Sequence, residues 1–218
     1  MLTVDALSIG YKKKIISSNL NLSVESGEMW SLVGANGVGK STLLKTLMGF
    51  VRSFSGTINN SFKKTSYLPQ KHSLDKTFPL TVIDVVNMGS WGLNICENEI
   101  KKTLEKVNLL NIKNNPISTL SGGQWQRMLF ARLIIEDADL ILLDEPFDGI
   151  DQITQKIIVS LLKSWESSGK SIICVTHDFP FVKKHFKNTM IINNKGILCG
   201  ETQDILNEKT IMGTMYSV

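Results

Sequence analysis

The sequence predicts an α/β fold in which a mostly parallel core sheet is flanked by helices. Three features support this fold class. An apolar run, Met29–Val33, leads into a glycine-rich stretch and then a helix-forming run. A second apolar run, Leu140–Leu143, ends in two carboxylates, as expected of a strand buried on both faces. Up to about Gly27, apolar and polar residues alternate with turn signals, which predicts an antiparallel β subdomain ahead of the core.

The glycine-rich stretch Gly34–Ser41 fits the phosphate-binding pattern G-x-x-x-x-G-K-[ST]. The apolar strand precedes it, and the helix-forming run Thr42–Met48 follows, closed by Gly49. Glycines allow backbone N–H groups to turn towards phosphates, and the helix N-terminus adds partial positive charge. The sequence therefore predicts a P-loop domain that binds a nucleoside triphosphate.

Two side chains of this loop have predicted roles. Lys40 reaches the β- and γ-phosphate oxygens, and Ser41 can ligate Mg²⁺. The candidate nucleotide-binding residues of the loop are Gly34, Asn36, Gly37, Gly39, Lys40, Ser41 and Thr42.

A second candidate anion site lies at Leu120–Gln124, ahead of a helix in which Trp125, Leu129 and Leu133 share one face. A serine here can cap the helix, and two glycines leave its first N–H groups accessible. The candidate residues are Ser121, Gly122, Gly123 and Gln124.

The strand Leu140–Leu143 places Asp144 and Glu145 at the carboxyl edge of the sheet, where ligands bind in open α/β folds. Asp144 is predicted to hold Mg²⁺. Glu145 is predicted to polarise an attacking water, and to point away from Asp144 because side chains alternate along a strand.

The ordered set of motifs resembles the ATP-binding subunit of an ABC transporter, over essentially the whole chain. Besides the phosphate loop, the LSGGQ signature and the carboxylate pair, the chain has Tyr67–Gln70, Gly149–Asp151 and Thr176–Asp178. By resemblance these are the glutamine loop, the D-loop and the switch histidine. Tyr11 occupies the place of the adenine-stacking aromatic.

The resemblance implies ATP and Mg²⁺ as cofactors and a head-to-tail homodimer with ATP at its interface. In such a dimer Gln70 senses Mg²⁺ and the γ-phosphate, and His177 contacts the γ-phosphate. The signature residues act on the ATP of the other chain, and Asp151 couples the two sites. Taken alone, Gln70 fits a solvated loop amide and His177 a capping histidine, while Tyr11 fits a surface tyrosine.

The chain of 218 residues is predicted to form a single nucleotide-binding domain, 1–218, with an inserted helical subdomain at about 78–135. Further along, Asp151–Ser168 is predicted to be a helix with Ile153, Ile157 and Leu161 inward, and Thr189–Gly200 a hairpin. Three tryptophans are predicted to pack in the core or at an interface: Trp30, Trp125 and Trp165. His72 and His185 have no partner at metal-ligand spacing.

Composition narrows the setting. The net charge of +4 comes with scattered lysines, which argues against a nucleic-acid partner. The cysteines fall in no paired spacing, and Cys174 lies in an apolar run, as expected in a reducing cytosol. No run has the roughly 20 apolar residues that cross a bilayer. The predicted location is cytoplasmic, peripheral on the inner face of the cell membrane, through a partner.

Within the family, the segments Asp144–Asp151, Thr81–Gly92 and His177–Phe179 resemble the ATPases of zinc, manganese and iron importers, although Ser90-Trp91 replaces their usual Arg-Tyr. The resemblance implies multispan permease subunits and an external substrate-binding protein as partners. Phe147 and Trp91 also fit simple packing residues. The alternatives left open are an importer of iron chelates, a short-tailed exporter, and a soluble ABC ATPase in repair or translation.

Overall fold

The computed structural model describes residues 1–70, 77–91 and 95–207, and its strands form two sheets. The smaller sheet is antiparallel and consists, with strands numbered in chain order, of β1 (Leu2–Tyr11), β2 (Lys14–Val24) and β4 (Ser55–Asn60). Its strand order is β2-β1-β4. The antiparallel N-terminal sheet is thus confirmed, and a third strand from beyond the phosphate loop completes it.

The larger sheet forms the core of the domain. Its strands are β3 (Met29–Val33), β5 (Thr65–Leu68), β6 (Leu140–Asp144), β7 (Ser171–Val175), β8 (Asn188–Asn193) and β9 (Gly196–Glu201). The spatial order is β5-β6-β7-β3-β8-β9, and every pair is parallel except the hairpin β8-β9. Both the mostly parallel core sheet and the terminal hairpin match the sequence prediction.

The central strands are buried on both faces. Along β6, Leu140 and Leu142 pack into the cluster shared with the smaller sheet, whereas Ile141 and Leu143 pack into the cluster shared with the helices on the opposite face. Two apolar layers therefore require an uninterrupted apolar sequence. The three tryptophans predicted to pack in the core or at an interface are buried in the domain itself: Trp30, Trp125 and Trp165.

Seven α-helices of the described segments flank or extend these sheets. They are α1 (Lys40–Leu47), α2 (Val82–Asn87), α3 (Glu97–Lys106), α4 (Gly122–Glu136), α5 (Gln152–Ser167), α6 (Phe179–His185) and α7 (Thr202–Ile205). α2 begins at a capping box, in which Asp84 N–H donates to Thr81 Oγ1 at 3.4 Å and Thr81 N–H donates to Asp84 Oδ2 at 2.8 Å. Val82 and Val86 of α2 share the buried cluster of α4.

The inward face of α5 differs from the prediction. Ile153 is 67% exposed, while Ile158, Leu162 and Trp165 are buried. Apolar residues occupy two overlapping stripes of this helix, so helical periodicity alone fits either. The indole of Trp165 stacks on Phe130 of α4 with ring centroids 5.9 Å apart, and this contact selects the stripe.

Candidate nucleotide site

The carboxyl ends of β3, β5, β6 and β7 meet at one edge of the larger sheet, and the segments that follow them line a cavity of about 900 Å³. The predicted site residues at this cavity are Tyr11, Gly34, Asn36, Gly37, Gly39, Lys40, Ser41, Thr42, Gln70, Glu145 and His177. Parallel strands carry these distant parts of the sequence to a single edge.

The phosphate loop leads directly into the start of α1. Gly39 is the N-cap residue with φ 106°, a left-handed conformation in which a side chain would be strained, and its carbonyl accepts the Leu43 N–H at 2.7 Å. Lys40 is 6% exposed and donates to the carbonyls of Gly34 at 2.9 Å and Ala35 at 3.0 Å. Burial lowers the pKa of Lys40, and Glu145 and Asp144 oppose that shift.

Asp144 lies at the end of β6 with 2% of its surface exposed. Its Oδ1 accepts a hydrogen bond from Ser41 Oγ at 3.0 Å, and its Oδ2 accepts one from the Tyr67 hydroxyl at 3.1 Å. Burial raises the pKa of Asp144, while the hydrogen bonds from Ser41 and Tyr67 lower it in part. Tyr67 was named as the first residue of the glutamine-loop motif but not as a site residue, and it lies on β5 beside β6.

Glu145 lies beyond the strand, so the alternation argument for its direction was wrong. β6 ends at Asp144, and Glu145 has φ 51° in the left-handed region. Its N–H donates to Val175 O at 3.2 Å, and its carbonyl accepts the Asp148 N–H at 3.2 Å, which makes a turn. Gln70 Nε2 donates to Glu145 Oε2 at 2.7 Å, so two candidate catalytic side chains are in direct contact.

His177 follows β7 and lines the cavity together with Glu145. Four lining residues were not among the predicted site residues: Ile16, Ala35, Asp148 and Phe179. Asp148 was within reach of that argument, since it lies in the segment after the carboxylate pair. Ala35 and Phe179 lie in segments that the sequence argument used, the phosphate loop and His177–Phe179, whereas Ile16 belongs to no motif.

Two aromatic residues of the family-specific segments behave differently. Phe147 packs against Phe181 with ring centroids 4.4 Å apart, as the packing interpretation expected. Trp91 is 89% exposed, so the same interpretation is wrong for that residue. His72 and Gly92 lie outside the described residues.

The signature segment lies away from this cavity. Ser121 caps α4: its Oγ accepts the Gln124 N–H at 3.2 Å, and its N–H donates to Gln124 Oε1 at 2.9 Å. A Cβ added to Gly123 would collide with Asp151 Oδ2, which places the signature glycine against the D-loop. In the described part of the chain, neither the signature residues nor Asp151 line the cavity.

These features define the class of protein. A phosphate loop at a helix start, a buried carboxylate that accepts a hydrogen bond from the serine of that loop, and a second carboxylate at the same sheet edge are the arrangement of a nucleotide-hydrolysing P-loop ATPase. The sequence profile of the ABC transporter family matches residues 17–148, more than half of the chain. The chain belongs to this family, and it is the kind of subunit that binds and hydrolyses ATP.

Curated relatives extend over nearly the whole chain. The manganese transport system ATP-binding protein MntB of Listeria monocytogenes is 36% identical and covers 95% of this chain and 93% of its own. The zinc transport system ATP-binding protein TroB of Treponema pallidum is 35% identical, with 95% and 84% covered.

Solved structures give the same fold. An ABC transporter described as of the metal-chelate type, in an inward-facing conformation, matches with a TM-score of 0.86 and 30% identity, covering 98% of this chain and 88% of that one. A nucleotide-free ATP-binding cassette matches with a TM-score of 0.78 at 18% identity, covering 98% and 94%, and shows the fold alone. Among the described residues, no helix is both long and apolar enough to cross a bilayer.

Proposed function

We propose that this chain is the ATP-hydrolysing subunit that drives import of a divalent metal ion, zinc, manganese or iron, through a membrane permease. The observation that carries the proposal is the identity of 36% and 35%, over 95% of the chain, to subunits of a manganese and a zinc transport system. An external binding protein would deliver the ion to the permease. This chain would sit on the inner face of the cell membrane and never contact the ion.

An importer of metal chelates is the second candidate. It is favoured by one observation, the match at 30% identity and a TM-score of 0.86 to a transporter described as of that type. The two candidates share the ATPase chemistry and differ in what the permease carries.

Mg²⁺ would be held by Ser41, Asp144 and Gln70. The residues fit this ion, because a hydroxyl, a carboxylate and an amide offer the oxygen ligands that it prefers. The buried Asp144 also has a raised pKa, so a neighbouring cation would offset the cost of its negative charge. When bound, the ion neutralises charge on the phosphate oxygens.

The protein side chains have separable tasks in hydrolysis. Tyr11 would stack on the adenine, and the ammonium of Lys40 would exchange its loop carbonyls for phosphate oxygens. Glu145 would orient or deprotonate the attacking water. The hydrogen bond from Gln70 Nε2 at 2.7 Å would hold the Glu145 carboxylate in position for this role. His177, at the same cavity, would contact the γ-phosphate.

A head-to-tail homodimer would complete each site. Ser121, Gly122, Gly123 and Gln124 form a capped helix start suited to an anion, yet they lie outside the cavity of their own chain. In the dimer they would meet the γ-phosphate held by the other chain, so ATP would bind at the interface. Asp151, which lies against Gly123 and caps α5, would couple the two sites.

Mixing two inactive variants tests this arrangement. Lys40→Ala removes the phosphate-binding ammonium, and Ser121→Arg blocks the signature loop. In a head-to-tail pair of one chain of each kind, one composite site is intact, so an equimolar mixture should regain up to about a quarter of wild-type ATPase activity. A mixture no more active than its two components contradicts the trans assignment.

The transport assignment is tested in the native host. Cells that carry Glu145→Gln should lose uptake of radioactive manganese, zinc or iron ions, while Lys195→Gln, an exposed change in the β8-β9 hairpin, should leave uptake unchanged. When the Glu145→Gln protein is purified with ATP from detergent-solubilised membranes, a multispan permease should co-purify with it. Loss of chelate uptake alone favours the second candidate, and co-purification of a ribosome or repair complex contradicts transport.

A further inference from the structure

Helices α5 and α6 enclose a cleft of about 510 Å³ that shares no lining residue with the nucleotide cavity. We call it the α5–α6 cleft. Its principal lining residues are Gln155, Lys156 and Lys163 of α5 and Phe181, Lys184 and His185 of α6. The volume lies in the range of small-ligand sites.

The charge of the cleft has one sign. Lys156 and Lys163 are seven residues apart, which places them on one face of α5, and Lys184 approaches from α6. The lining contains no Asp or Glu. The salt bridges of the described residues are Arg132–Glu136 and Lys170–Asp137, so these three lysines have no carboxylate partner there. Three ammonium groups around one cleft repel each other, and a bound anion would offset that repulsion.

His185 adds a polar group to the same wall. Its ring lies 4.5 Å from that of Phe181, and its Nδ1 is buried without a hydrogen-bond partner in the described parts of the chain. A buried polar atom left without a partner is costly, and a bound water or ion is one way to satisfy it. Burial lowers the pKa of His185, and Lys184 and Lys163 lower it further. Both charged groups that shift the pKa of His185 are lysines, so the imidazole lies in the same positively charged surroundings.

We propose that the α5–α6 cleft binds a phosphate-bearing anion, in addition to the ATP bound at the phosphate loop. Lysine ammonium groups are effective point-charge ligands for phosphate. Because the lysines come from two facing helices, a ligand with more than one phosphate group can contact both walls together. Such a ligand is either a free polyphosphate-type molecule or the phosphate headgroup of a lipid.

The test uses the full chain with its nucleotide cavity saturated by Mg²⁺ and a non-hydrolysable ATP analogue. Sodium tripolyphosphate is then titrated at low ionic strength while the imidazole signals of ¹⁵N-histidine-labelled protein are recorded. The chain has 3 histidines, so His185→Gln assigns the relevant signal. The expected result is a saturable shift of the His185 signal.

Matched variants decide whether the cleft is responsible. Lys163→Gln combined with Lys184→Gln should weaken the apparent affinity by about tenfold or more, since each change removes a charge-assisted contact. Lys195→Gln, between β8 and β9 and not among the residues lining the cleft, should leave the apparent affinity unchanged. No shift of His185, an equal shift in the double variant, or the same shift with sodium chloride at matched ionic strength overturns the proposal.

The source of the phosphate group is separated by a second arm. Co-sedimentation is measured with vesicles of phosphatidylglycerol and, for comparison, phosphatidylcholine. Binding to the anionic vesicles that the lysine double variant loses assigns a lipid headgroup. A tripolyphosphate shift without vesicle binding assigns a free phosphate-bearing molecule. Both results support the proposal, and neither depends on which ion is transported.

Discussion

The hydroxyl of Tyr67 donates a hydrogen bond to Oδ2 of Asp144 at 3.1 Å, across two neighbouring parallel strands. Ser41 occupies the other carboxylate oxygen at 3.0 Å. The carboxylate is therefore held at both oxygens, one of them by a tyrosine that lies outside the phosphate loop.

Tyr67→Phe should weaken the response to Mg²⁺ without weakening ATP binding in its absence. A hydrogen bond to a charged group contributes about 1.5–3 kcal/mol, so the Mg²⁺ concentration for half-maximal ATPase activity should rise by about tenfold or more. Phe50→Leu is the control, because Phe50 packs edge-on against the Tyr67 ring at 6.0 Å but leaves the hydroxyl in place. An unchanged Mg²⁺ dependence in Tyr67→Phe would show that the Tyr67 hydroxyl does not position Asp144 for Mg²⁺.

Asp144→Asn should abolish Mg²⁺-dependent hydrolysis yet stabilise the fold. Burial raises the pKa of Asp144, so its carboxyl binds a proton more tightly in the folded protein than in the unfolded chain. The protonated Asp144 carboxyl therefore stabilises the fold at pH values below the unfolded pKa, near 4, and this contribution is lost as pH rises through the raised folded pKa. The variant's Tm at pH 7 should be higher, on the order of 2–4 °C. This gap should close as pH falls towards 4, and a lower Tm at pH 7 would contradict the argument.

Glu145→Gln should slow ATP turnover by about 10²–10⁴-fold, because the amide cannot serve as a base, while ATP affinity stays unchanged. The amide oxygen can still accept the hydrogen bond from Gln70 that Glu145 Oε2 accepts at 2.7 Å, so the geometry is retained. Single-turnover hydrolysis and equilibrium ATP binding separate the two effects. Glu105→Gln, on the exposed face of α3, is the control. Hydrolysis near the wild-type rate would remove Glu145 from the role of base.

Tyr11→Ala should weaken ATP binding by about 5–150-fold, since stacking on a base contributes about 1–3 kcal/mol. Tyr11 lines the nucleotide cavity with 54% of its surface exposed, which leaves its ring available to a base. Tyr11→Phe keeps the ring and should bind ATP nearly as the wild type does. Calorimetry with ATP and with tripolyphosphate provides the contrast, because a ligand without a base should not distinguish the variants. Equal losses for both ligands would point to a disturbed fold.

Gly123→Ala should reduce ATPase activity by about tenfold or more and leave ATP binding to the single chain intact. The added Cβ would collide with Asp151 Oδ2 and lie 2.6 Å from Thr154 Oγ1, which forces the signature loop away from the D-loop. Shortening the colliding side chain with Asp151→Ser, which can still cap α5, should restore part of the activity. Full activity in Gly123→Ala would show that this contact does not matter for turnover.

The sequence was most informative where burial and local motifs determine the structure. Met29–Val33 and Leu140–Leu143 were predicted as strands because both faces are covered, which leaves a continuous apolar run. Ser121 was placed correctly at a helix start because capping depends on a few neighbouring residues, whereas α1 begins at Lys40 and not at the predicted Thr42. These elements need little information from the rest of the chain.

The remainder depends on contacts between distant segments. The inward face of α5 was misplaced because Ile153 and Ile158 lie on two apolar stripes, and only the stacking of Trp165 on Phe130 distinguishes them. The hydroxyl of Tyr67 gave no signal of its role, since that role requires β5 to lie beside β6. The spatial order of strands is likewise a property of the assembled sheet.

The site is a product of the completed fold. Ser41 and Asp144 hydrogen-bond although 103 positions separate them, and Gln70 and Glu145 although 75 do. Contacts of such long range require the chain to lose the entropy of the intervening loops. Neither pair of side chains can meet until β3, β5 and β6 are in place, because these strands position them. Recovery of ATP binding during refolding therefore reports the closure of the parallel sheet, and ATP in turn protects that sheet from opening by mass action.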